Sequence, residues 1–209
     1  MNTYFPSDYQ AFIHTSRYAK WLDSENRREN WGETVNRYVD NLVLPKITDD
    51  ETVMAVREAI TNLDVMPSMR AMMSSGKAFD RDNTAGYNCS YLPVDDIRSF
   101  DEAMFILLCG TGVGFSVERQ YVNELPIVPM NLINLDETII VADSKEGWAW
   151  SLRTLITSLY NGVVPKWDVT RVRPAGAKLR TFGGRASGPA PLVDLFQFVV
   201  SKFKEASGD

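Results

Sequence analysis

Apolar residues recur at helical spacing in the first third of the chain. Trp31, Val35, Val39 and Leu42 fall on one face of residues 24–43, with Ser24 placed to cap the helix and Glu33 four residues before Arg37 in the favourable order. Asp50 opens a second pattern in which Val53, Val56, Ile60 and Leu63 align before Pro67 ends it. From residue 65 the texture changes to a Met-, Ser- and Asn-rich stretch with a short extended candidate at residues 87–92. Ser99-Phe-Asp-Glu102 reads as a capping box for an apolar helix stopped by Gly110, and the glycine-punctuated residues 111–119 follow. The β-branched run 138–142 predicts a buried strand. Asp143-Ser-Lys-Glu146 caps a helix carrying Trp148, Leu152, Leu155 and Leu159 and closed by Asn161-Gly162. Beyond a Gly-, Pro- and Arg-rich loop, Ser187-Gly-Pro189 leads into a helix presenting Leu192, Leu195, Phe196, Val199 and Phe203. Strands alternating with helices across glycine loops predict an α/β protein, and three or four strands are too few to close a barrel.

Composition narrows the chemistry. The 209 residues hold one histidine, His14, and two cysteines, Cys89 and Cys109. Two cysteines are too few for a disulfide framework or an all-cysteine zinc site, and a His-rich zinc site or a triad would have to use His14. No stretch is apolar for long enough to span a membrane, and the N-terminus lacks the pattern of a secretory signal. A net charge of −5 disfavours a general nucleic-acid binder. The expectation is a cytoplasmic protein.

Three constellations remain. Glycines 110, 112 and 114, followed by Arg119, can form an anion nest or simply turn the chain into a strand. Residues 166–185 carry six basic side chains (Lys166, Arg171, Arg173, Lys178, Arg180, Arg185) against Asp168, and the glycines after them open onto a helix N-terminus. A polyphosphate site and a solvated loop with Ser187 as helix cap are both compatible with that pattern. Cys89, between Asn88 and Ser90 on a strand, is a candidate nucleophile or a core residue. Asp95-Asp96 offers turn carboxylates, while His14, Cys109 and the cluster of Met66, Met69, Met72 and Met73 read as packing.

Taken jointly, nine segments resemble the ribonucleotide reductases, specifically the adenosylcobalamin-dependent class of the monomeric triphosphate-reductase type. They are Tyr18-Ala-Lys-Trp21, Arg27-Arg-Glu-Asn-Trp31, Glu33-Thr-Val35, Met66-Pro-Ser-Met-Arg70, Gly86-Tyr-Asn-Cys-Ser-Tyr91, Gly110-Thr-Gly-Val-Gly-Phe115, Asp143-Ser-Lys-Glu-Gly-Trp148, Val172-Arg-Pro-Ala-Gly176 and Thr181-Phe-Gly-Gly-Arg-Ala-Ser-Gly-Pro189. They run in family order over nearly the whole chain. The resemblance implies an N-terminal helical region (residues 1–64), then the first part of a ten-stranded α/β barrel (65–209), incomplete in this chain, with an effector-site insertion at 119–180. It implies reduction of ribonucleoside triphosphates to deoxyribonucleotides for DNA synthesis by thiyl-radical chemistry, with a redox-active cysteine pair of which Cys89 is one member. Ser68, Asn88, Ser187 and Gly188 are then expected at substrate, and Asp96, Gly112, Gly114 and Arg119 at a deoxynucleotide effector. Adenosylcobalamin is the implied cofactor and a thioredoxin-type protein the implied reductant, with no metal ligands, membrane or nucleic acid involved. The radical cysteine and the redox partner of Cys89 fall outside residues 1–209, so a remaining C-terminal portion or a completing polypeptide is expected, and the chain alone is expected to be inactive. Two other readings are a nucleotide-binding regulatory or scaffolding module without catalysis, and a fragment of the di-iron-dependent reductase large subunit.

Overall fold

A computed structural model describes residues 4–179 and 184–207, which divide into two compact units, residues 4–88 and residues 89–179 with 184–207. The change of texture at residue 65 lies inside the first of these.

Unit 1 is built from helices α1 (Asp8–Ile13), α2 (Trp31–Tyr38), α3 (Asp50–Thr61) and α4 (Met69–Ser74), with single π-helical turns continuing α1 and α2. A short antiparallel pair, β1 (Trp21–Leu22) and β2 (Arg27–Arg28), precedes α2. This hairpin takes up Ser24, which lies in its turn, so the helix expected from residue 24 begins seven residues later. Its cap is Asn30, whose side chain accepts the Glu33 N–H while the Glu33 carboxylate accepts the Asn30 N–H. Asp49, not Asp50, caps α3 through the Thr52 N–H. Trp31, Val35 and Val39 of the first expected stripe are buried with Val43, Val53, Ile60 and Met72. Of the methionines read as packing, Met72 is buried, while Met66 and Met69 are exposed.

Beneath that core lies a polar knot. The Glu33–Arg37 pair expected along α2 does not form: Glu33 receives both Arg27 guanidinium nitrogens, at 2.7 and 2.6 Å. Arg37 instead pairs with Glu29 (2.8 Å), both side chains nearly sealed from solvent, and also donates to the Met72 and Tyr18 carbonyls. Glu29 further accepts from the Lys20 N–H and the Thr34 hydroxyl. Because that hydroxyl's one hydrogen goes to the carboxylate, Thr34 accepts from His14 Nε2–H at 2.9 Å, which fixes the ring tautomer. His14 is thus structural, packed between Phe5 and Trp31, with a buried Nδ1 that has no partner.

Unit 2 opens with β3 (Cys89–Pro93), α5 (Arg98–Leu108) and β4 (Gly112–Ser116), a β-α-β unit whose strands pair in parallel. The short α6 (Arg119–Val122) follows. Then come β5 (Ile133–Ile140), α7 (Lys145–Tyr160) and β6 (Val163–Asp168), with β5 and β6 again parallel, and finally α8 (Ala190–Ala206). The strand expected at 138–142 starts at Ile133 because β6 extends the pairing toward its N-terminus. Ile139 and Val141, the inner face of α7 (Leu152, Leu155, Leu159) and that of α8 (Leu192, Phe196, Val200) form the core. Within the expected capping segment 143–146 it is Ser144 that caps α7, its hydroxyl accepting the Gly147 N–H, and Gly162, at φ +79°, turns the chain out of the helix. The Ser99 capping box is absent. Ile97 precedes α5 without a side-chain cap, and the Ser99 hydroxyl donates instead to the Pro93 carbonyl of β3. Arg153 of α7 reaches Asp101 of α5 with two nitrogens at 2.9 and 2.6 Å, tying the helices together through a buried carboxylate. Among the described residues no helix is long and apolar enough to cross a membrane.

Candidate active site

The register of β3 on β4 sets Cys89 opposite Gly112, Tyr91 opposite Gly114 and Pro93 opposite Ser116. Paired residues of a parallel ladder share a face, so the glycines lie beside the thiol and the Tyr91 ring. The opposite face carries Leu92, which is buried. Cys89, Tyr91, Gly112 and Gly114 are all exposed. The glycine motif therefore does not fold into a loop nest: residues 112–116 are a strand, and the glycines clear side chains from the ground next to Cys89. Ser90, on the other face, donates its hydroxyl hydrogen to the Gly112 carbonyl at 3.1 Å and fixes the same register. Gly110, at φ +84°, turns the end of α5 into β4.

The other expected residues fall in separate places. Asp96 and Arg119 each follow by three residues the carboxyl end of a strand, β3 and β4 respectively, whose last residues are paired. They follow the strand ends opposite Cys89 and Gly112, and each strand is itself about 13 Å long at roughly 3.3 Å per residue. Asp96 Oδ1 accepts the Arg98 N–H at 2.7 Å and starts α5. Ser68, exposed, stands at the N-terminus of α4 in unit 1 without a side-chain hydrogen bond, and exposed Asn88 is the last residue of that unit. Ser187 is not the cap of α8, a place taken by Pro189. Its hydroxyl lies 3.1 Å from the Gly188 carbonyl, and Gly188 is held at φ +75° with its Cα so near Ala175 that a Cβ would meet that residue's nitrogen at 2.8 Å.

The basic stretch keeps much of its charge for the fold. Lys166 pairs with Asp136 at 2.6 Å, Arg173 with Asp143 at 2.8 Å, and Arg185 donates to the Gly176 carbonyl. Lys178 and Arg185 form an isolated antiparallel bridge, and Arg180 lies outside the described residues.

Two features were not singled out from the sequence. Tyr91 shares the open face with Cys89 because alternate residues of a strand face the same way, and Lys145 donates to the buried Cys109 sulfur at 3.0 Å from a site 36 residues away.

The family model described as "B12-dependent ribonucleotide reductase, insertion domain" matches residues 131–202, the stretch that supplies the core of unit 2. The chain is 26% identical to an adenosylcobalamin-dependent ribonucleoside-triphosphate reductase of Lactobacillus gasseri and 28% identical to that of Lactobacillus helveticus. Each match takes in 91% of this chain and 35% of the relative. The chain thus spans about a third of the length of these curated relatives. A crystal structure of a B12-dependent (class II) ribonucleotide reductase matches 95% of the chain and 37% of its own, with a TM-score of 0.78 at 24% identity, and shares its mixed α/β fold. These matches bear out the resemblance to adenosylcobalamin-dependent ribonucleotide reductases drawn from the motifs.

Proposed function

We propose that this chain is part of the catalytic chain of an adenosylcobalamin-dependent ribonucleoside-triphosphate reductase, a cytoplasmic enzyme of deoxyribonucleotide biosynthesis. The observation that carries the reading is the exposed Cys89 thiol on a parallel strand, flanked by the side-chain-free Gly112. Unit 1 is the helical region, and β3, α5 and β4 begin the ten-stranded barrel.

Replacing a ribose 2′-hydroxyl by hydrogen, with loss of water, needs two protons and two electrons. In this reading Cys89 gives its hydrogen to the departing hydroxyl and, with a second thiol from the rest of the reductase, ends as a disulfide while C2′ gains hydrogen. A thioredoxin-type protein then restores both thiols. Cys109 is not that second thiol, since it is buried and held by Lys145. Gly112 and Gly114, expected from the resemblance at the effector, stand instead beside Cys89 and Tyr91, where their bare backbone lets a sugar lie against the strand. Asn88 and Ser68 contact substrate, and Ser187 and Gly188 take a phosphate. Asp96 and Arg119, opposite in charge and together beyond the strand ends, take the deoxynucleotide effector. Adenosylcobalamin supplies the radical. The chain's one imidazole, His14, is buried with its Nε2 engaged by Thr34 and does not fit a cobalt ligand.

The test is Cys89→Ser in the complete cobalamin-loaded reductase, with deoxynucleotide formation measured against a dithiol reductant. Turnover is expected to fall by about 10²–10⁴-fold, the range set by a positioned proton donor, before the loss of the electron pair is added. Wild-type turnover would overturn the assignment.

A further inference from the structure

Cys109 and Lys145 lie outside the site just described and meet where α5 ends and α7 begins. The Cys109 sulfur is buried. The Lys145 Nζ stands 3.0 Å from it and 4.7 Å from the centroid of the Phe105 ring, one helical turn before Cys109 on α5. The ring face and the sulfur together hold the nitrogen where it is, in a half-buried position. A sulfur and a nitrogen are thus fixed in contact, across a gap too wide for a direct bond yet close to the span of one inserted oxygen.

We propose that Cys109 and Lys145 form an oxidative modification site: dioxygen converts the pair to a sulfur–oxygen–nitrogen bridge that crosslinks α5 to α7 and is reversed by thiols. In the balanced step the thiol, the ammonium and one dioxygen give the bridge, one water and one proton released to solvent. The S–H bond, two N–H bonds and the O–O bond break, and one S–O bond, one N–O bond and the two O–H bonds of water form. Sulfur and nitrogen each lose two electrons, and dioxygen accepts all four. Dioxygen is small and apolar enough to reach a buried sulfur, whereas larger oxidants and a second protein thiol are kept out. The bridge would hold Cys109 short of the irreversible rungs of cysteine oxidation. A direct sulfur–nitrogen bond would require the atoms to close by more than an ångström.

The sequence makes the product easy to read. Trypsin cleaves after Arg98, Arg119 and Arg153, so the bridge joins peptide 99–119 to peptide 120–153, the latter uncut at Lys145. The full chain is purified with and without exclusion of air and digested, and crosslinked peptides are identified by mass spectrometry. In the aerobic sample the joined peptides should appear, heavier than their sum by one oxygen and lighter by two hydrogens, with matching loss of alkylatable Cys109. Dithiothreitol should restore the separate peptides. Lys145→Arg keeps a cation over Phe105 but should abolish the species, as should Cys109→Ala, with folding of both checked by circular dichroism. If either variant fails to fold, the mass and reversibility of the wild-type species decide alone. Aerobic protein in which Cys109 remains fully alkylatable, pairs with Cys89 or stops at a sulfinic acid would overturn the proposal.

Discussion

Gly147 sits two residues into α7 and shows two local effects opposed. Alanine is the better helix former by about 1 kcal/mol. Yet a Cβ at residue 147 would stand 2.7 Å from both the Cβ and the carbonyl oxygen of Ala142, and the oxygen is backbone. Overpacking against an atom that cannot swing away costs about 1–3 kcal/mol and exceeds the propensity gain. Gly147→Ala is therefore expected to lower the melting temperature by several degrees in a calorimetric scan, at roughly 2–4 °C per kcal/mol for a chain of this size. A higher melting temperature would show that Ala142 does not press on this turn. Gly188→Ala should lose at least as much, since it adds an unfavourable positive φ to the collision with the Ala175 nitrogen. Both glycines carry a close approach that no local motif encodes, because the atom approached belongs to another turn of chain.

At the scale of elements, the buried ion pairs separate the two ways a carboxylate can be held. Glu29→Gln leaves the Arg37 guanidinium, only 12% exposed, without its counter-charge. Removing one partner of a buried pair costs about 3–5 kcal/mol. Asp101→Asn leaves Arg153, 39% exposed, able to turn toward water, so roughly 1–2 kcal/mol is expected after screening. Urea melts followed by hydrogen exchange, at residues 31–38 for the first and 145–160 for the second, should return that order; equal losses would mean that solvent reaches both pairs alike. Neither pair was legible beforehand, and the reason also explains the misplaced helix starts. Ser144, Asn161 and Gly162 act within one helix, so spacing alone finds them. Ser24 and Ser99 fit a cap by spacing, but a hairpin takes the first and the Pro93 carbonyl the second. In the same way Arg37 passes over Glu33 for Glu29, and Gly112 meets Cys89 only through strand register. The sequence carried the hydrophobic stripes and the α/β character. It did not carry which partners long-range folding would bring.

For the molecule as a whole, acid should act unevenly on the two units. Burial holds the His14 ring below the usual imidazole value of 6.5, with Glu29 pulling the other way and Arg37 reinforcing the burial. Burial pushes the Glu29 carboxyl up, but the Arg37, Lys20 and Thr34 contacts outweigh it and keep the group below 4.5. Both groups bind protons less readily folded than unfolded. Each therefore contributes stability above its unfolded value that is lost as pH falls through the folded one. The His14 contribution starts to go below about pH 6.5 and that of Glu29 below about 4.5, and both belong to unit 1. Protonated His14 would add a second buried cation beside Arg37, with one Glu29 carboxylate to serve both. Unit 2 holds no histidine, since His14 is the chain's only one and belongs to unit 1. Amide exchange measured from pH 7.5 to pH 4 should show protection of α2 falling first, from below pH 6.5, while the central turns of α7 hold. His14→Gln should flatten the upper part of that decline and leave the lower part, set by Glu29. Equal loss of protection in α2 and α7 over the whole range would place the acid sensitivity elsewhere than in the His14–Thr34–Glu29 relay.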